Sequence, residues 1–216
     1  MPAEYANSSY WNERYAALLE QETDDISYEW YQEWSTLRPL LMPLLKKDDP
    51  NFEVLIPGCG SSKLGGAIYD EGCKNITSID SSQVVIDHMA DKYSSLEEME
   101  FTVMDACEME FIPNDCFNLI LDKALFDCQL TGDSNFVKVT NLVSEMNRVL
   151  KPGGAYVIVS HGAPEMRHGF LTMTEDGNTR YKWDITTKKV RKSKIAGRIE
   201  KDDDTHHYVY ICKKKR

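Results

Sequence analysis

Four short stretches of this 216-residue sequence carry residue types that bind or orient ligands: Gly58-Cys59-Gly60, Asp80, Asp105-Ala106, and Asp122-Lys123 with Asp127 close behind. Glycines at 58 and 60 let the backbone turn sharply and approach a ligand with no Cβ in the way. Gly-x-Gly alone is weak evidence, because a plain turn uses the same residues. A dinucleotide fingerprint asks for a third glycine, at position 63. The chain has Lys63, with glycines displaced to 65 and 66, so a close pyrophosphate fit is not expected. Asp80 comes twenty residues after Gly60, where a carboxylate can accept two hydrogen bonds from a ribose diol. Its competing role is a helix cap, but Ser81 and Ser82 are present for that. Asp105 can accept from an adenine amino group, with the Ala106 N–H beside it for a ring nitrogen. Glycine turn, acid, acid, in that order, describe an adenosine pocket without a pyrophosphate cradle. Asp122 or Asp127 is placed to hold a cationic amine; alternatively Lys123 and one aspartate form an ion pair.

Each of these residues ends an apolar run, and the runs define the scaffold. "EVLIP" (53–57), "NITSID" (75–80), "EFTVMD" (100–105), "CFNLILD" (116–122) and "AYVIVS" (155–160) read as strands. Helical periodicity fills 62–72, 82–94 and 135–150. Strands and helices alternating at this spacing imply parallel pairing with right-handed crossovers. Short wholly apolar runs such as "FNLILD" fit strands buried on both faces. Ligands of such sheets bind beyond the carboxyl ends of the strands, where the candidate residues fall. "KPGG" (151–154) reads as a helix cap and turn with no chemical role. Residues 179–190 and 205–214, joined through "EKDDD", read as an antiparallel pair. The fold class is therefore α/β: a seven-stranded, doubly wound, mostly parallel sheet with a C-terminal antiparallel hairpin. N-terminal helices are expected over 8–21, with a serine cap, and over 29–46, where Pro39 and Pro43 kink or split the second. "ETDDIS" between them reads as a loop. One domain spans 1–216, divided into a helical cap (1–50), a ligand-binding core (51–160), and a segment at 161–178 plus the hairpin.

Composition narrows the function classes. A 42% hydrophobic content supports a real core. No apolar run approaches the ~20 residues of a membrane span, and the N-terminus has no signal-peptide pattern, so a cytoplasmic monomer is the default expectation. None of the six cysteines forms a C-x-x-C pair, so no metal site is expected and reduced thiols are the simplest reading. Net charge is −10, but residues 181–216 carry +7 and the remainder −17. An acidic body repels phosphate backbones, so a nucleic-acid partner is not expected and a basic protein partner is more natural; the plainer alternative is that the charge only keeps the chain soluble. The terminal "KKKR" reads as a solvated tail.

"VLIPGCGSSKL", "ITSIDSS", "FTVMDA", "FNLILDK" and "RVLKPGG" together resemble class I S-adenosylmethionine-dependent methyltransferases. With "YWNERY" and "YEWY" ahead of them, the sequence is similar to the group related to the endothelin-converting-enzyme-2-associated methyltransferase and the N-terminal half of methyltransferase-like protein 13. That resemblance implies S-adenosyl-L-methionine as cofactor and lysines of translation elongation factor 1-alpha as acceptors. It implies that Gly58, Cys59 and Gly60 take the methionine part, Asp80 the ribose, Ser81 the adenine neighbourhood and Asp105 with Ala106 the adenine edge. Lys123 would sit by the methionine end. Trp11, Tyr15, Tyr28 and Trp30 would close over the cofactor, although four aromatics near helical spacing read on their own as core packing. Two departures stand out: Ser61 where the family often has asparagine, and Ala124-Leu125-Phe126 where it often has Gly-Thr-Leu.

A lysine acceptor needs an apolar wall that favours its neutral form. Phe126, Trp30 and Tyr31 are candidates for it, with Asp122 or Asp127 orienting the amine. The alternative is a small-molecule methyltransferase, with 161–178 as its lid and His161 or His168 as a base. A non-catalytic module is disfavoured because the glycine turn and Asp80 are both present, and no Asn-Pro-Pro-Tyr amine clamp for nucleic-acid bases is found.

Overall fold

The strand runs alternate in the face they bury, and that alternation builds two cores. In a computed structural model, which describes residues 5–21, 26–132, 135–175, 178–192 and 205–216, strand β1 (Val54–Pro57) turns Val54 and Ile56 to one face and Leu55 to the other. Strand β4 (Phe117–Lys123) does the same, Leu119 and Leu121 opposing Ile120, and so does β5 (Leu150–Ser160), Val157 and Val159 opposing Tyr156 and Ile158. Successive Cβ atoms point to opposite sides of a strand, so wholly apolar strands demand cover on both. Helices α2 (Trp34–Leu41) and α3 (Leu64–Asp70) cover one face. Helix α6 (Asn135–Val149) covers the other with a fully buried stripe of Val139, Leu142, Val143, Met146 and Val149. Two short helices, α5 (Leu125–Gln129) and α7 (Pro164–Leu171), join that second face.

The sheet has seven strands in the order β3-β2-β1-β4-β5-β9-β8. Strands β2 (Ile76–Asp80) and β3 (Met99–Val103) pair parallel on one side of β1, and β4 and β5 parallel on the other. Strand β9 (His206–Lys214) runs antiparallel to both β5 and β8 (Trp183–Arg191). The switch point lies between β1 and β4, where an open α/β sheet leaves a crevice. Helix α4 (Gln83–Lys92) follows β2, and α1 (Ser8–Leu19) packs on it through Tyr15 against Val85 and Met89. The polar "EKDDD" joint and residues 22–25 of the "ETDDIS" loop lie outside the described residues.

Four expectations need correction. The cap of α1 is Asn7, whose side chain accepts from the Ser9 N–H at 3.0 Å, rather than a serine. No helix begins at 29: residues 26–30 are without helical turns and α2 starts at Trp34. The cause is long-range anchoring of Glu29, described below, together with Tyr31 in a left-handed conformation (φ 61°). Pro39 does end in a split, since α2 stops at Leu41 and a 3-10 turn containing Pro43 follows. "KPGG" is not only a turn. It lies inside β5, which pairs with β4 first at Phe117–Leu150 and then, after a register shift, from Leu119–Ala155 onward. Lastly, residues 179–182 do not join β8; Thr174–Glu175 (β6) and Asn178–Thr179 (β7) form a separate two-stranded ladder.

Candidate functional site

Beyond β1 the chain turns through Gly58 (φ 59°) and Gly60 (φ 49°), both in the left-handed region that costs other residues about 1–2 kcal/mol. A Cβ at Gly60 would lie 2.6 Å from the Tyr15 hydroxyl, and one at Gly58 2.9 Å from Leu125. Glycine is therefore required twice over, by conformation and by close approach. Asp80 ends β2 and holds this turn: Oδ2 accepts from the Gly60 N–H at 3.0 Å and Oδ1 from the Ser82 N–H at 3.0 Å. Burial pushes its carboxyl up, and the N–H groups of Ser82, Gly60 and Ser81 oppose that shift. The helix-cap role falls to Ser82, which caps α4, so Asp80 is not consumed by capping. Past β3, Asp105 is exposed and accepts from the Cys107 N–H at 2.8 Å, forming a short turn that presents the buried Ala106.

These residues line one cavity of about 860 Å³, its open mouth included. Trp11, Tyr15, Tyr28 and Trp30 form its cover. Trp11 stacks between Tyr5 and Tyr15 at centroid separations of 5.7 and 5.9 Å, and Trp30 meets Tyr5, Trp11 and Tyr28 edge-on. The aromatics thus do both jobs weighed from the sequence: they pack on one another and wall a cavity. Tyr28 remains 40% exposed at its rim. All twelve residues expected at a cofactor, Trp11, Tyr15, Tyr28, Trp30, Gly58, Cys59, Gly60, Asp80, Ser81, Asp105, Ala106 and Lys123, lie in this one wall. Cys59 is buried, with its thiol pushed well up by burial.

Lys123 pairs with neither aspartate nearby. Its Nζ lies 2.7 Å from Glu29 Oε2 and 3.1 Å from the Trp30 carbonyl. Burial lowers its pKa and Glu29 raises it. Glu29 also accepts from Ser62 Oγ (2.9 Å) and from the Lys63 N–H (2.6 Å) at the start of α3. One carboxylate therefore ties the segment bearing Tyr28 and Trp30 to the cavity floor. Sequence reasoning missed Glu29, whose partners lie 33 to 94 residues away. It also missed Tyr5, Met104 and Leu125 in the wall; for Tyr5 the available signal was its place in the aromatic-rich N-terminus.

The three residues expected to position an amine are not in the cavity wall. Phe126 is fully buried between Phe170 and Arg167. Asp122 is 1% exposed and accepts from the Phe126 N–H at 3.1 Å and the Tyr156 hydroxyl at 2.9 Å. Burial pushes its carboxyl up to about 7, the Phe126 and Tyr156 donors working against that and the Asp127 charge with it. Asp122 thus accepts from the first turn of α5 and lies among second-core residues, outside the cavity wall. Asp127 is buried too, and its oxygens are already taken by Tyr31, Ser160, His161 and Arg167. Burial alone would raise its pKa, but His161, Arg167 and Ser160 hold it at about 2. His168 contacts Thr187 and Tyr210, away from the cavity. Among the described residues of 161–178, none lines the cavity. Among the described residues no cluster with metal-ligand geometry occurs, and none has a helix long and apolar enough to cross a membrane.

With this geometry in place, the comparisons are specific. Residues 48–214 match the family described as "Methyltransferase domain". The chain is 28% identical over 190 residues to mouse "EEF1A lysine methyltransferase 4", covering 84% of this chain and 69% of that protein. The cattle protein of the same name is 31% identical over 171 residues, covering 76% and 64%. The Xenopus laevis "eEF1A lysine and N-terminal methyltransferase" is 36% identical over 160 residues, but the match spans 73% of this chain and only 22% of that protein. In fold, the chain resembles geranyl diphosphate C-methyltransferase from Streptomyces coelicolor, solved with S-adenosyl-L-homocysteine (TM-score 0.65, 16% identity, 100% and 98% covered). It also resembles the N-methyltransferase NodS from Bradyrhizobium japonicum, solved with the same molecule (TM-score 0.61, 15% identity, 94% and 98% covered).

Proposed function

The chain belongs to the methyltransferase-domain family, and from that premise we propose that it methylates a lysine side chain of a protein, with S-adenosylmethionine as donor and translation elongation factor 1-alpha as acceptor. The observation that carries this reading is the single cavity gathering the glycine turn, two acidic strand ends and an aromatic cover. The donor's nucleoside fits the groups present: an acidic oxygen pair at the end of β2 for a diol, and Asp105 with Ala106 at the end of β3 for an amino-substituted ring. The left-handed glycines let Tyr15 and Leu125 pack close against the turn, which shapes this wall of the cavity. When bound, S-adenosylmethionine supplies an activated sulfonium methyl, so no residue of the chain need form a covalent intermediate. The protein's task is to orient the amine and exclude water. Tyr28 and Trp30 at the cavity rim offer the aromatic surface against which a lysine is more readily neutral.

The acceptor is argued from three things. The relatives with matching cores are named for elongation factor 1-alpha lysines. A net charge of −10 suits a basic partner and disfavours nucleic acid. None of the described residues of 161–178 lines the cavity, where a small-molecule enzyme would want a lid. The same reading takes the protein as a cytoplasmic monomer, with described residues of 1–50 covering the cavity and residues of 51–160 forming its floor.

The test is incubation with tritiated S-adenosylmethionine and recombinant elongation factor 1-alpha, followed by mass spectrometry of the labelled site. Label on a lysine is expected; no label there or on any protein of a cell lysate refutes the reading. Asp80→Ala should weaken cofactor binding by roughly 10- to 150-fold, the loss of a charged acceptor worth about 1.5–3 kcal/mol. Unchanged affinity in calorimetry would remove Asp80 from the ribose role.

A further inference from the structure

A lysine acceptor arrives as an ammonium and must lose a proton before its nitrogen can attack. The cluster around Asp127 offers that proton a destination. Asp127 Oδ2 accepts from the Tyr31 hydroxyl at 2.9 Å and the His161 backbone N–H at 2.9 Å, and it lies 2.7 Å from His161 Nδ1. Its Oδ1 accepts from Ser160 Oγ at 2.6 Å and from Arg167 Nε and Nη2 at 3.1 and 2.9 Å. A carboxylate so surrounded by donors stays ionised and has no direction left for a substrate amine. The Tyr31 proton is committed to Asp127, so the Tyr31 oxygen, 3.0 Å from Nδ1, offers that nitrogen only a lone pair. Both neighbours of Nδ1 are acceptors, and Nδ1 therefore carries the ring proton. In the neutral ring this leaves Nε2 as the basic nitrogen.

Position agrees with this. Lys123, in the cavity wall, ends β4 and pairs with Val159 of β5, two residues before His161. Trp30, also in the wall, meets Tyr31 at 6.3 Å between ring centroids, and Tyr31 meets His161 at 5.9 Å. The His161 side chain is 52% exposed; it is not itself in the cavity wall, and Tyr31 links it to Trp30, which is. Tyr31 is held left-handed at φ 61°, a strained state that persists at functional sites when the surroundings fix it. Asp127 and His161, both bound to the Tyr31 hydroxyl, here supply that fixation.

We propose that His161 is the general base of the reaction, its Nε2 taking a proton from the incoming lysine ammonium while Asp127 fixes the tautomer. This rests on the reading that the acceptor is an amine. An N–H bond of the ammonium breaks, its electron pair stays on the lysine nitrogen, and an N–H bond forms at Nε2. The imidazolium then faces the ionised Asp127 and releases its proton to water through its exposed side. Asp127, Tyr31 and Arg167 are positioning residues. The titratable or charged groups around the ring are Asp127 on α5, Tyr31 on the N-terminal segment, Arg167 on α7 through the shared carboxylate, and His207 on β9, whose ring lies 4.6 Å from that of Tyr31.

His161→Asn tests the proposal, because its amide can still donate to Asp127 while lacking a basic nitrogen. The expected result is a fall of about 100-fold in kcat at neutral pH, the scale of general-base catalysis, that shrinks as pH rises and more of the acceptor amine is already neutral, with an unchanged Kd for S-adenosylhomocysteine. A kcat within threefold of the parent at neutral pH, or a larger fall that stays the same as pH rises, overturns it. Independently of turnover, nitrogen-15 long-range spectra of the free protein should show His161 as the Nδ1–H tautomer, shifting toward Nε2–H in Asp127→Asn. A dominant Nε2–H form in the parent also overturns it. A parent enzyme that labels no lysine refutes the functional reading instead, so the two failures are distinguishable.

Discussion

Replacing Glu29 should cost the protein both stability and the closure of its cavity. The Lys123 ammonium is nearly buried (side chain 5% exposed) and sits 2.7 Å from Glu29, which is 24% exposed. At an effective dielectric near 20, two charges at that distance attract by about 6 kcal/mol before desolvation is counted. Removing one partner of a buried pair strands the other and costs about 3–5 kcal/mol. Glu29→Gln keeps a carbonyl oxygen for Lys123 and Ser62, and its site is partly wet, so about 2 kcal/mol is the expected loss in urea unfolding. Lys123→Met on top of it should recover part of this, since the Trp30 carbonyl still accepts from the Gln32 N–H at 2.7 Å. The double-mutant cycle should then give a coupling of about 1–2 kcal/mol. Because Glu29 also holds the Lys63 N–H and Ser62, Glu29→Gln should weaken S-adenosylhomocysteine binding by loosening Tyr28 and Trp30. A stability loss under about 0.5 kcal/mol, or a coupling near zero, would show that Glu29 is not the tether.

Ala124 occupies the left-handed region at φ 81°, so Ala124→Gly should relieve about 1–2 kcal/mol of strain against about 0.4–1 kcal/mol of added unfolded-state freedom. The variant should match or exceed the parent in thermal midpoint, and a clear fall would contradict the strain. Asp122→Asn should change the pH dependence of stability. The Asp122 carboxyl titrates at about 7 in the folded protein and near 3.9 when unfolded. Its contribution is therefore present at low pH and lost as pH rises from about 4 through 7, by at most about 4 kcal/mol. The amide keeps an acceptor for the Phe126 N–H without the charge, so unfolding curves at pH 5 and pH 8 should differ less in the variant, and an identical pH slope would refute the buried titration.

What was legible in the sequence was whatever repeats locally. Val54 to Ile56 and Leu119 to Leu121 announce strands covered on both faces, and the acids at their ends announce a crevice, because period and position are properties of neighbouring residues. The largest failure, over residues 29–33, comes from interaction over long sequence distance. "YEWYQ" has helical composition, but Glu29 is drawn to Ser62, Lys63 and Lys123 and Tyr31 to Asp127, and four anchors outweigh a weak local propensity. Helices α5 and α7 span five and eight residues, too few for a periodicity to register. Asp127 was legible as a charge near the reacting end of the sheet but not as a saturated one, since its donors come from residues 31, 160, 161 and 167. A carboxylate read from sequence as free to hold an amine can, once its neighbours are known, do no more than orient the group that does. Ala124 carries the same lesson in reverse. It departs from a family glycine at the one position after β4 that needs positive φ, so a difference that looked like a change of wall chemistry is first a change in backbone strain.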